Sequence, residues 1–333
     1  MKSFAYAISF SGGVNAYAVQ SNGELKHIGV PVTDESYSIA AYRDKVFVGG
    51  YRHISVFSVA PDGTLVPLIK NYDLGPGSPI TSIAVTTAPG SDNCFVYTND
   101  GQVHAFFFID QINKIERIDL GRYQGPKGYV SEIRVDPVGR FLYATMFGGQ
   151  ADLGVFMINT FGQLAFRSGA RLPFVGNTII GPDISNRDPE RRFTYVGTII
   201  DNSVHGYRVN VGELSPLDWA GYDLPGSPSA IQMSPDGAYL FLSTAADRFG
   251  GENLVISFAV DNSDGSLTQV NSQPCDEETT AFAMALGGKY LYATSYTEKK
   301  IYCFQVKDGG ALARVSPTTT PDFNDAIVTV NLA

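Results

Sequence analysis

The stretch Tyr290-Leu-Tyr-Ala-Thr294, with Phe304 and then Gly310-Ala-Leu312 after it, is one clear copy of a phrase that recurs along this chain. The phrase consists of an apolar strand, a small polar turn, a second strand carrying an aromatic residue, and Gly-x-Leu. Glycine accepts a positive φ in a tight hairpin, and the leucine is the first inward residue of the outgoing strand. The phrase therefore predicts an antiparallel β unit that the chain repeats.

The repeat has seven copies, which share a first strand of apolar and aromatic residues. These first strands begin at Phe4, Val46, Phe95, Phe141, Phe193, Tyr239 and Tyr290. The aromatic residues of the following strands are Tyr17, Phe57, Phe107, Phe156, Tyr207, Phe258 and Phe304. Gly-x-Leu follows at Gly23, Gly63, Gly162, Gly212, Gly265 and Gly310, and Asn113-Lys-Ile replaces it in the third copy. A chain of 333 residues gives each copy about 48 residues, which suits four short strands with their turns.

Seven such units, without helical periodicity between them, predict an all-β chain folded as a seven-bladed β-propeller with four-stranded antiparallel blades. An irregular β-sandwich is the alternative, but a sandwich does not need seven copies of one phrase. The final stretch, Ala326-Ile-Val-Thr-Val-Asn331, is apolar and has no hairpin partner after it. We expect it to join the N-terminal blade at residues 4–19, which closes the ring and removes an exposed sheet edge. Residues 1–333 are predicted to form this single domain.

Composition and charge exclude several classes of function. The chain is 44% hydrophobic and 17% charged with a net charge of −9, so neither nucleic acid nor a membrane surface is expected as a partner. No apolar run approaches the ~20 residues that a bilayer span needs. The three cysteines are sparse and odd in number, which predicts reduced thiols and a cytoplasmic location. The four histidines lie far apart in the sequence, so neither a metal nor another cofactor is expected.

Several longer phrases point to a family. They are Val56-Phe-Ser-Val-Ala-Pro-Asp-Gly-Thr-Leu65, Leu224-Pro-Gly-Ser-Pro-Ser229, Ser234-Pro-Asp-Gly-Ala-Tyr-Leu-Phe241, Tyr302-Cys-Phe-Gln-Val306 and Val328-Thr-Val-Asn331. In these phrases the chain resembles the seven-bladed lactonases, which include bacterial 6-phosphogluconolactonases and fungal carboxymuconate cycloisomerases. The resemblance spans nearly the whole chain and implies the propeller fold.

The same resemblance implies that the family's functional signature has been lost. That signature is Gly-Pro-Arg-His at the start of a strand, followed by a strand that ends in Asn-Glu. Here Gly181-Pro-Asp-Ile184 places Asp183 where the family has arginine and Ile184 where it has histidine. Ile199 stands near the usual glutamate, and a second family histidine would fall near Ser131.

In a propeller, ligands bind at one mouth of the central channel, which is built by the starts of the innermost strands and the turns after the second strands. The repeat places at this rim several polar residues, among them Ser229, Thr280 and Asp325. Glu132 and Asp183 are the candidates for proton transfer, because a carboxylate buried among aromatic rings has its pKa raised toward working pH. Arg52 is the third candidate catalytic residue. The predicted substrate-binding residues are Tyr37, Tyr129, Ser131, Phe147, Arg248, Phe282 and Tyr296.

The remaining acidic, serine and histidine residues are not assigned to the predicted site. Glu277 and Glu278 are expected on a solvated face, and no Ser-His-Asp triad is predicted because the histidines are scattered. Aromatic residues outnumber cations at the predicted rim, which favours a bulky, largely apolar or aromatic organic small molecule as the substrate.

Three classes of function are compatible with this rim. The first is a metal-free enzyme that catalyses ring formation or isomerisation, since such catalysis needs mainly a shaped pocket and a few hydrogen-bond donors. The alternative is a lactonase or cycloisomerase acting on a sugar or muconate-type lactone. The second alternative is a non-catalytic propeller that serves as a binding scaffold.

Overall fold

The computed structural model describes most of the chain. The described ranges are 2–9, 12–32, 34–120, 128–136, 138–148, 151–172, 179–184, 192–218, 221–246, 250–295, 297–322 and 324–332, with the backbone alone for 179–184 and 192. Two single-turn 3-10 helices, Asp110–Ile112 and Asp308–Gly310, are the helical elements of these ranges. None of the described helices combines the length and hydropathy that a membrane span requires.

Strands make up nearly all of the regular structure. In chain order they are β1 (Lys2–Ser9), β2 (Val14–Val19), β3 (Leu25–Val32), β4 (Ser38–Tyr42), β5 (Lys45–Gly49), β6 (His53–Val59), β7 (Leu65–Asp73), β8 (Ser82–Thr87), β9 (Cys94–Asn99), β10 (Val103–Ile109), β11 (Lys114–Ile118), β12 (Tyr129–Val135), β13 (Phe141–Phe147), β14 (Leu153–Ile158), β15 (Leu164–Ala170), β16 (Ile179–Ile184), β17 (Arg192–Thr198), β18 (Ser203–Asn210), β19 (Glu213–Pro216), β20 (Tyr222–Asp223), β21 (Ser227–Met233), β22 (Tyr239–Ala245), β23 (Leu254–Val260), β24 (Leu267–Pro274), β25 (Thr279–Ala285), β26 (Tyr290–Ser295), β27 (Lys300–Val306), β28 (Leu312–Thr319) and β29 (Asn324–Leu332).

In the described ranges these strands form seven antiparallel sheets, which are the blades of a β-propeller. Blade 1 has the order β29-β1-β2-β3, and blades 2 to 7 follow in chain order. The predicted fold class is therefore confirmed, and so is the closure of the ring by the C-terminal strand. Blade 5 differs in its outer edge, where β19 and β20 both pair with β18.

The innermost strands of the blades, β29, β4, β8, β12, β16, β21 and β25, each contact the next and so enclose a central channel. The hydrophobic core is divided among the interfaces between blades. Blades 1 and 2 share one cluster around Tyr6 and Val48, and blades 7 and 1 share another around Tyr17 and Tyr292. Each blade thus buries its apolar faces against two neighbours, which makes ring closure part of the stability of the fold.

The repeated phrase forms the joint between one blade and the next. In blade 1 the ring of Phe4 covers the turn of blade 2, and a Cβ at Gly63 would overlap that ring. Two residues further on, Tyr6 donates a hydrogen bond from Oη to the carbonyl oxygen of Gly63 at 2.8 Å. The ring-on-glycine contact recurs between Phe95 and Gly162, Phe141 and Gly212, Phe193 and Gly265, Tyr239 and Gly310, and Tyr290 and Gly23. Glycine is required in these turns both by a positive φ and by the lack of space for a side chain.

The joint between blades 2 and 3 corrects the sequence alignment of the repeat. Val46 pairs with Phe57 in the way that Leu142 pairs with Phe156, so the second copy begins one residue earlier, at Lys45. Lys45 replaces the ring, and its Nζ lies 3.2 Å from Oδ1 of Asp110 in the turn of blade 3. An ion pair thus stands where the other joints have a ring on a glycine. The turn that receives Lys45 belongs to the third copy, in which Asn113 replaces the glycine.

The third copy also needs a correction at its second strand. Phe106 pairs with Val96, as Phe156 pairs with Leu142 in blade 4, so Phe106 and not Phe107 is the equivalent aromatic residue.

Candidate functional site

β-Bulges shape the mouth of the central channel. In the described ranges, four innermost strands carry one extra residue near their start: Ser131 in β12, Ser229 in β21, Thr280 in β25 and Asp325 in β29. The pairing of β16 also shifts there, between Ile180 and Asp183. A bulge re-aims the side chain of the extra residue, and bulges are frequent beside active sites.

A cavity of about 350 Å³ lies at this mouth and contains four of the predicted site residues. Tyr37, Ser131, Glu132 and Phe282 all line it, together with the other three bulged residues, Ser229, Thr280 and Asp325. Hydroxyl groups dominate the polar part of the described lining: Ser38, Thr81, Ser82, Ser131, Ser229 and Thr280. The charged residues of this lining are Glu132, Arg134 and Asp325.

The bulged hydroxyls are held by hydroxyls of the neighbouring strand. Ser131 Oγ lies 2.8 Å from Thr145 Oγ1, and Ser229 Oγ lies 2.9 Å from Ser243 Oγ. A hydroxyl donates one hydrogen bond and accepts two, so each retains capacity for a ligand. Ser38 Oγ is buried at the same cavity and has no hydrogen-bond partner among the described residues.

Asp325 lines the cavity, and Glu278 lies within electrostatic reach of it without belonging to the lining. The side chain of Asp325 is exposed at the channel mouth, but the surrounding walls displace enough water to raise the pKa of its carboxyl group above the ordinary value, although the Thr280 hydroxyl favours the ionised form. Burial also raises the pKa of Glu278, and the nearby charge of Asp325 adds to this effect. The expectation that Glu278 lies on a solvated face is therefore wrong. Each of these two acids thus keeps its proton more strongly than an ordinary carboxyl group, which suits proton transfer.

Glu132 has a different environment from the one predicted. Its Oε1 lies 2.6 Å from Nη2 of Arg134, which projects into the cavity from the same strand. The carboxylate is thus paired with a guanidinium instead of being enclosed by rings. Arg134, which the sequence analysis did not single out, is the cation of the described lining.

The predicted aromatic wall is only partly present at the cavity. Tyr129 and Phe147 face each other across β12 and β13 with their ring centroids 4.9 Å apart, and both remain exposed. They stack on each other outside the cavity lining. Tyr37 and Phe282 are the aromatic residues of the described lining.

The other predicted site residues lie elsewhere. Arg52 lines a second cavity, of about 250 Å³, between blades 2 and 3. Asp183 lies on β16 opposite Tyr195, and its side chain is outside the described part of the structure, as are Arg248 and Tyr296. Their roles, and the predicted loss of the family signature around residues 181–199, stay predictions.

The turn from β17 to β18 brings together a serine, a histidine and an aspartate, although no Ser-His-Asp triad is predicted from the sequence. His205 Nε2 lies 2.7 Å from Ser203 Oγ and 3.1 Å from Oδ2 of Asp201. In a catalytic triad the histidine bridges serine and aspartate through its two different ring nitrogens. Here one nitrogen makes both contacts and Ser203 is buried, so this cluster stabilises the turn and is not a triad.

No group of three His, Cys, Asp or Glu residues in the described part of the chain has the spacing to hold a metal ion. The expectation of a metal-free, cofactor-free site stays a prediction.

Comparison with known proteins supports the family resemblance. A model of the lactonase family of seven-bladed β-propellers matches residues 185–325. Over this part of its length the chain is similar to the seven-bladed lactonases. The sequence resemblance is thus confirmed, and the comparisons favour the predicted lactonase alternative over the ring-forming enzyme. No curated protein matches the sequence of this chain.

Solved structures share the propeller fold of this chain over nearly its whole length. A putative 6-phosphogluconolactonase from Bacteroides fragilis superposes with a TM-score of 0.74 at 19% identity, covering 99% of this chain and 98% of its own. A periplasmic gluconolactonase from Pseudomonas aeruginosa gives a TM-score of 0.72 at 18% identity, with both chains fully covered at 100%. A protein from Lactobacillus plantarum gives 0.79 at 15% identity, covering 99% of this chain and 100% of its own. At these identities the likeness establishes the fold alone.

Proposed function

We propose that the protein hydrolyses small hydroxylated lactones at the mouth of its central channel. The observation that carries the proposal is the lining of the channel cavity, where the carboxyl group of Asp325 lies beside a ring of hydroxyls and within electrostatic reach of Glu278. The lactonase family match supports chemistry on a cyclic ester. Two proteins of similar structure are named as a gluconolactonase and a putative 6-phosphogluconolactonase, which supports a sugar-acid lactone as the substrate.

The hydroxyl ring favours a polar substrate over a bulky apolar one. A sugar lactone presents several hydroxyls and a carbonyl, each of which needs a partner when water is displaced. Ser131, Ser229 and Thr280 project from different blades, so together they can hold one polar ring from several sides. A ring-forming enzyme for apolar substrates would instead need a continuous aromatic wall, and Tyr129 and Phe147 do not supply one at this cavity.

The carboxyl pair can perform the proton transfers of hydrolysis. We assign the ionised member of the pair as general base, which takes a proton from water as the water oxygen attacks the lactone carbonyl carbon. The protonated member then delivers its proton to the ring oxygen as the carbonyl carbon–oxygen bond breaks, which gives an open hydroxy acid. A raised pKa suits both roles near neutral pH, because the base is stronger and the acid stays protonated.

Arg134 is our candidate for stabilising the negative charge that develops on the carbonyl oxygen during attack. A guanidinium donates several hydrogen bonds in a fixed plane and keeps its charge at every working pH. Glu132 orients this guanidinium through the 2.6 Å ion pair. Glu132 thus acts as a positioning residue in this scheme, and Asp183 remains a further candidate for proton transfer from β16.

A substrate panel tests the proposal. Acid release should be followed in a pH-stat with glucono-δ-lactone, its 6-phospho form and an aromatic lactone, each corrected for spontaneous opening. We expect saturable turnover of a sugar lactone and little turnover of the aromatic one. Turnover of no lactone in the panel, or of the aromatic lactone alone, would contradict the proposal.

Two variants test the residue assignment. Asp325→Asn should lower kcat by about 10²-fold or more, the usual size of a general acid–base contribution. Asp308→Asn removes an exposed aspartate from the turn between β27 and β28 and should leave kcat unchanged. Equal activity of the two variants would show that Asp325 takes no part in the reaction.

We also propose that the enzyme needs no metal and works in the reducing cytoplasm. Its three cysteines, Cys94, Cys275 and Cys303, are buried and unpaired, which supports a setting where thiols stay reduced. Activity should therefore survive dialysis against EDTA, and a loss that added divalent cations restore would contradict the metal-free scheme.

A further inference from the structure

The second cavity, between blades 2 and 3, plays no part in the proposed hydrolysis. Its walls are the turn from β5 to β6, the loop at residues 74–78, and the β10 and β11 edge of blade 3. Two arginines, Arg52 and Arg117, line it from opposite blades, together with Asp100 and His104. The cavity measures about 250 Å³, which is ample for one small ligand group.

Arg52 is held in place by its backbone. Its φ of 64° lies in the left-handed region, which a residue other than glycine adopts only when its surroundings impose it. The carbonyl oxygen of Arg52 accepts a hydrogen bond from the backbone N–H of Leu74 at 2.9 Å. On the other side of the turn, the N–H of Ile80 donates to the carbonyl of Gly50 at 3.1 Å. The turn and the loop are thus fastened together, which fixes where the Arg52 side chain starts.

Arg117 is oriented by a short relay of hydrogen bonds. Its Nη2 donates to Nδ1 of His104 at 3.1 Å, since a guanidinium has no acceptor. His104 therefore carries its proton on Nε2, which donates to Oδ1 of Asp100 at 3.0 Å. The relay engages one N–H of Arg117 and leaves the rest of its planar group for a ligand.

Neither guanidinium has a carboxylate partner within the described part of the chain. Arg43, Arg134, Arg171 and Arg314 all form ion pairs there, whereas Arg52 and Arg117 form none. Asp100 is the acidic residue of the cavity, and its Oδ1 faces His104 and the backbone N–H of Gln102. Two cations against one anion leave the cavity positive in a chain whose net charge is −9.

We propose that this cavity, the inter-blade pocket, binds a small oxyanion between Arg52 and Arg117, either a carboxylate or a phosphate group. Guanidinium groups bind both kinds of oxyanion through paired, charge-assisted hydrogen bonds. The proposal is independent of the lactone chemistry at the channel mouth, because it rests on a separate cavity and on none of the channel residues.

Calorimetric titration of the full chain tests the pocket. Inorganic phosphate and acetate are titrated separately at constant ionic strength, with chloride as the balancing salt. Arg52→Gln and Arg117→Gln are compared with Arg43→Gln, a matched control because Arg43 is another exposed arginine of blade 2 with a positive φ. Thermal unfolding of each variant without anion verifies that the fold is retained.

We expect saturable binding of at least one anion, weakened about tenfold or more in each pocket variant and unchanged in the control. Tighter binding of phosphate identifies a phosphate ester as the natural ligand class, and tighter binding of acetate identifies a carboxylate. The proposal is overturned if neither anion saturates, or if the pocket variants bind as tightly as the control.

Discussion

Gly309 and Gly310 are adjacent glycines with nearly the same backbone conformation, at φ of 79° and 82°, yet they should respond very differently to alanine. A Cβ at Gly309 would meet no other atom within 4 Å, whereas a Cβ at Gly310 would overlap Cδ1 and Cε1 of Tyr239 in blade 6. Comparing alanine at these two positions therefore separates two effects on the free energy of unfolding: the strain of a positive φ, and the overlap with a ring of the neighbouring blade.

The magnitudes follow from these two terms. A left-handed conformation destabilises an alanine by roughly 1–2 kcal/mol. Replacing glycine by alanine also lowers the conformational entropy of the unfolded chain, which stabilises the folded protein by about 0.4–1 kcal/mol. Gly309→Ala should thus destabilise the protein by about 1 kcal/mol or less. Overpacking adds about 1–3 kcal/mol where a ring must move, so Gly310→Ala should cost about 2–4 kcal/mol.

Urea unfolding followed by circular dichroism measures both values through the midpoint and the slope. The variant Tyr239→Ala removes the ring, and on that background Gly310→Ala should cost no more than Gly309→Ala. If the two alanine variants have the same free energy of unfolding in the wild-type background, the ring-on-glycine contact does not join the blades.

Three further predictions concern titratable groups. Asp325→Asn should stabilise the protein at pH 7 but not below the ordinary aspartate pKa. The pKa of Asp325 is raised in the folded state, so the wild-type protein loses stability as the pH rises from about 4. Thermal unfolding of both proteins at two pH values measures the difference. The pKa of Asp201 is lowered, because hydrogen bonds from Thr198, Ser203 and His205 outweigh burial. Asp201→Ala should therefore lower the free energy of unfolding by about 2–4 kcal/mol at pH 7, and by less as the pH falls through the carboxyl range. A loss of stability that does not change with pH would contradict this prediction. Burial raises the pKa of Cys94, Cys275 and Cys303 to about 12, so the native protein should resist a thiol reagent that labels all three in urea.

The fold could be predicted from the sequence because each copy of the phrase carries both halves of a blade joint. Phe4 and Tyr6 supply the ring and the hydroxyl, and Gly63 supplies the turn that receives them. The misplaced first strand of the second copy shows the limit of this reasoning. Hydrophobicity aligns Val46 with the rings, whereas the structure places Lys45 there, paired with Asp110. An ion pair that replaces an apolar contact leaves no trace in a hydrophobic pattern.

The site was predictable only in part, because the direction of a side chain on the innermost strands depends on bulges. Ser131, Glu132 and Phe282 were found from their place at strand starts, which converge by the geometry of the ring. Arg134 was missed, since the bulge at Ser131 changes which residues of β12 face inward. Arg52 was placed at the channel because it follows a second strand, but that turn lies over the inter-blade pocket.

The most direct test of the central claim is to fill the channel mouth. Ser229→Trp inserts a large ring from a bulge into the 350 Å³ cavity, while Thr160→Trp adds the same ring to an exposed turn between β14 and β15. With thermal unfolding verifying both folds, we predict that sugar-lactone hydrolysis is lost in Ser229→Trp and retained in Thr160→Trp. Full hydrolytic activity in a folded Ser229→Trp variant would show that the reaction takes place elsewhere on the protein.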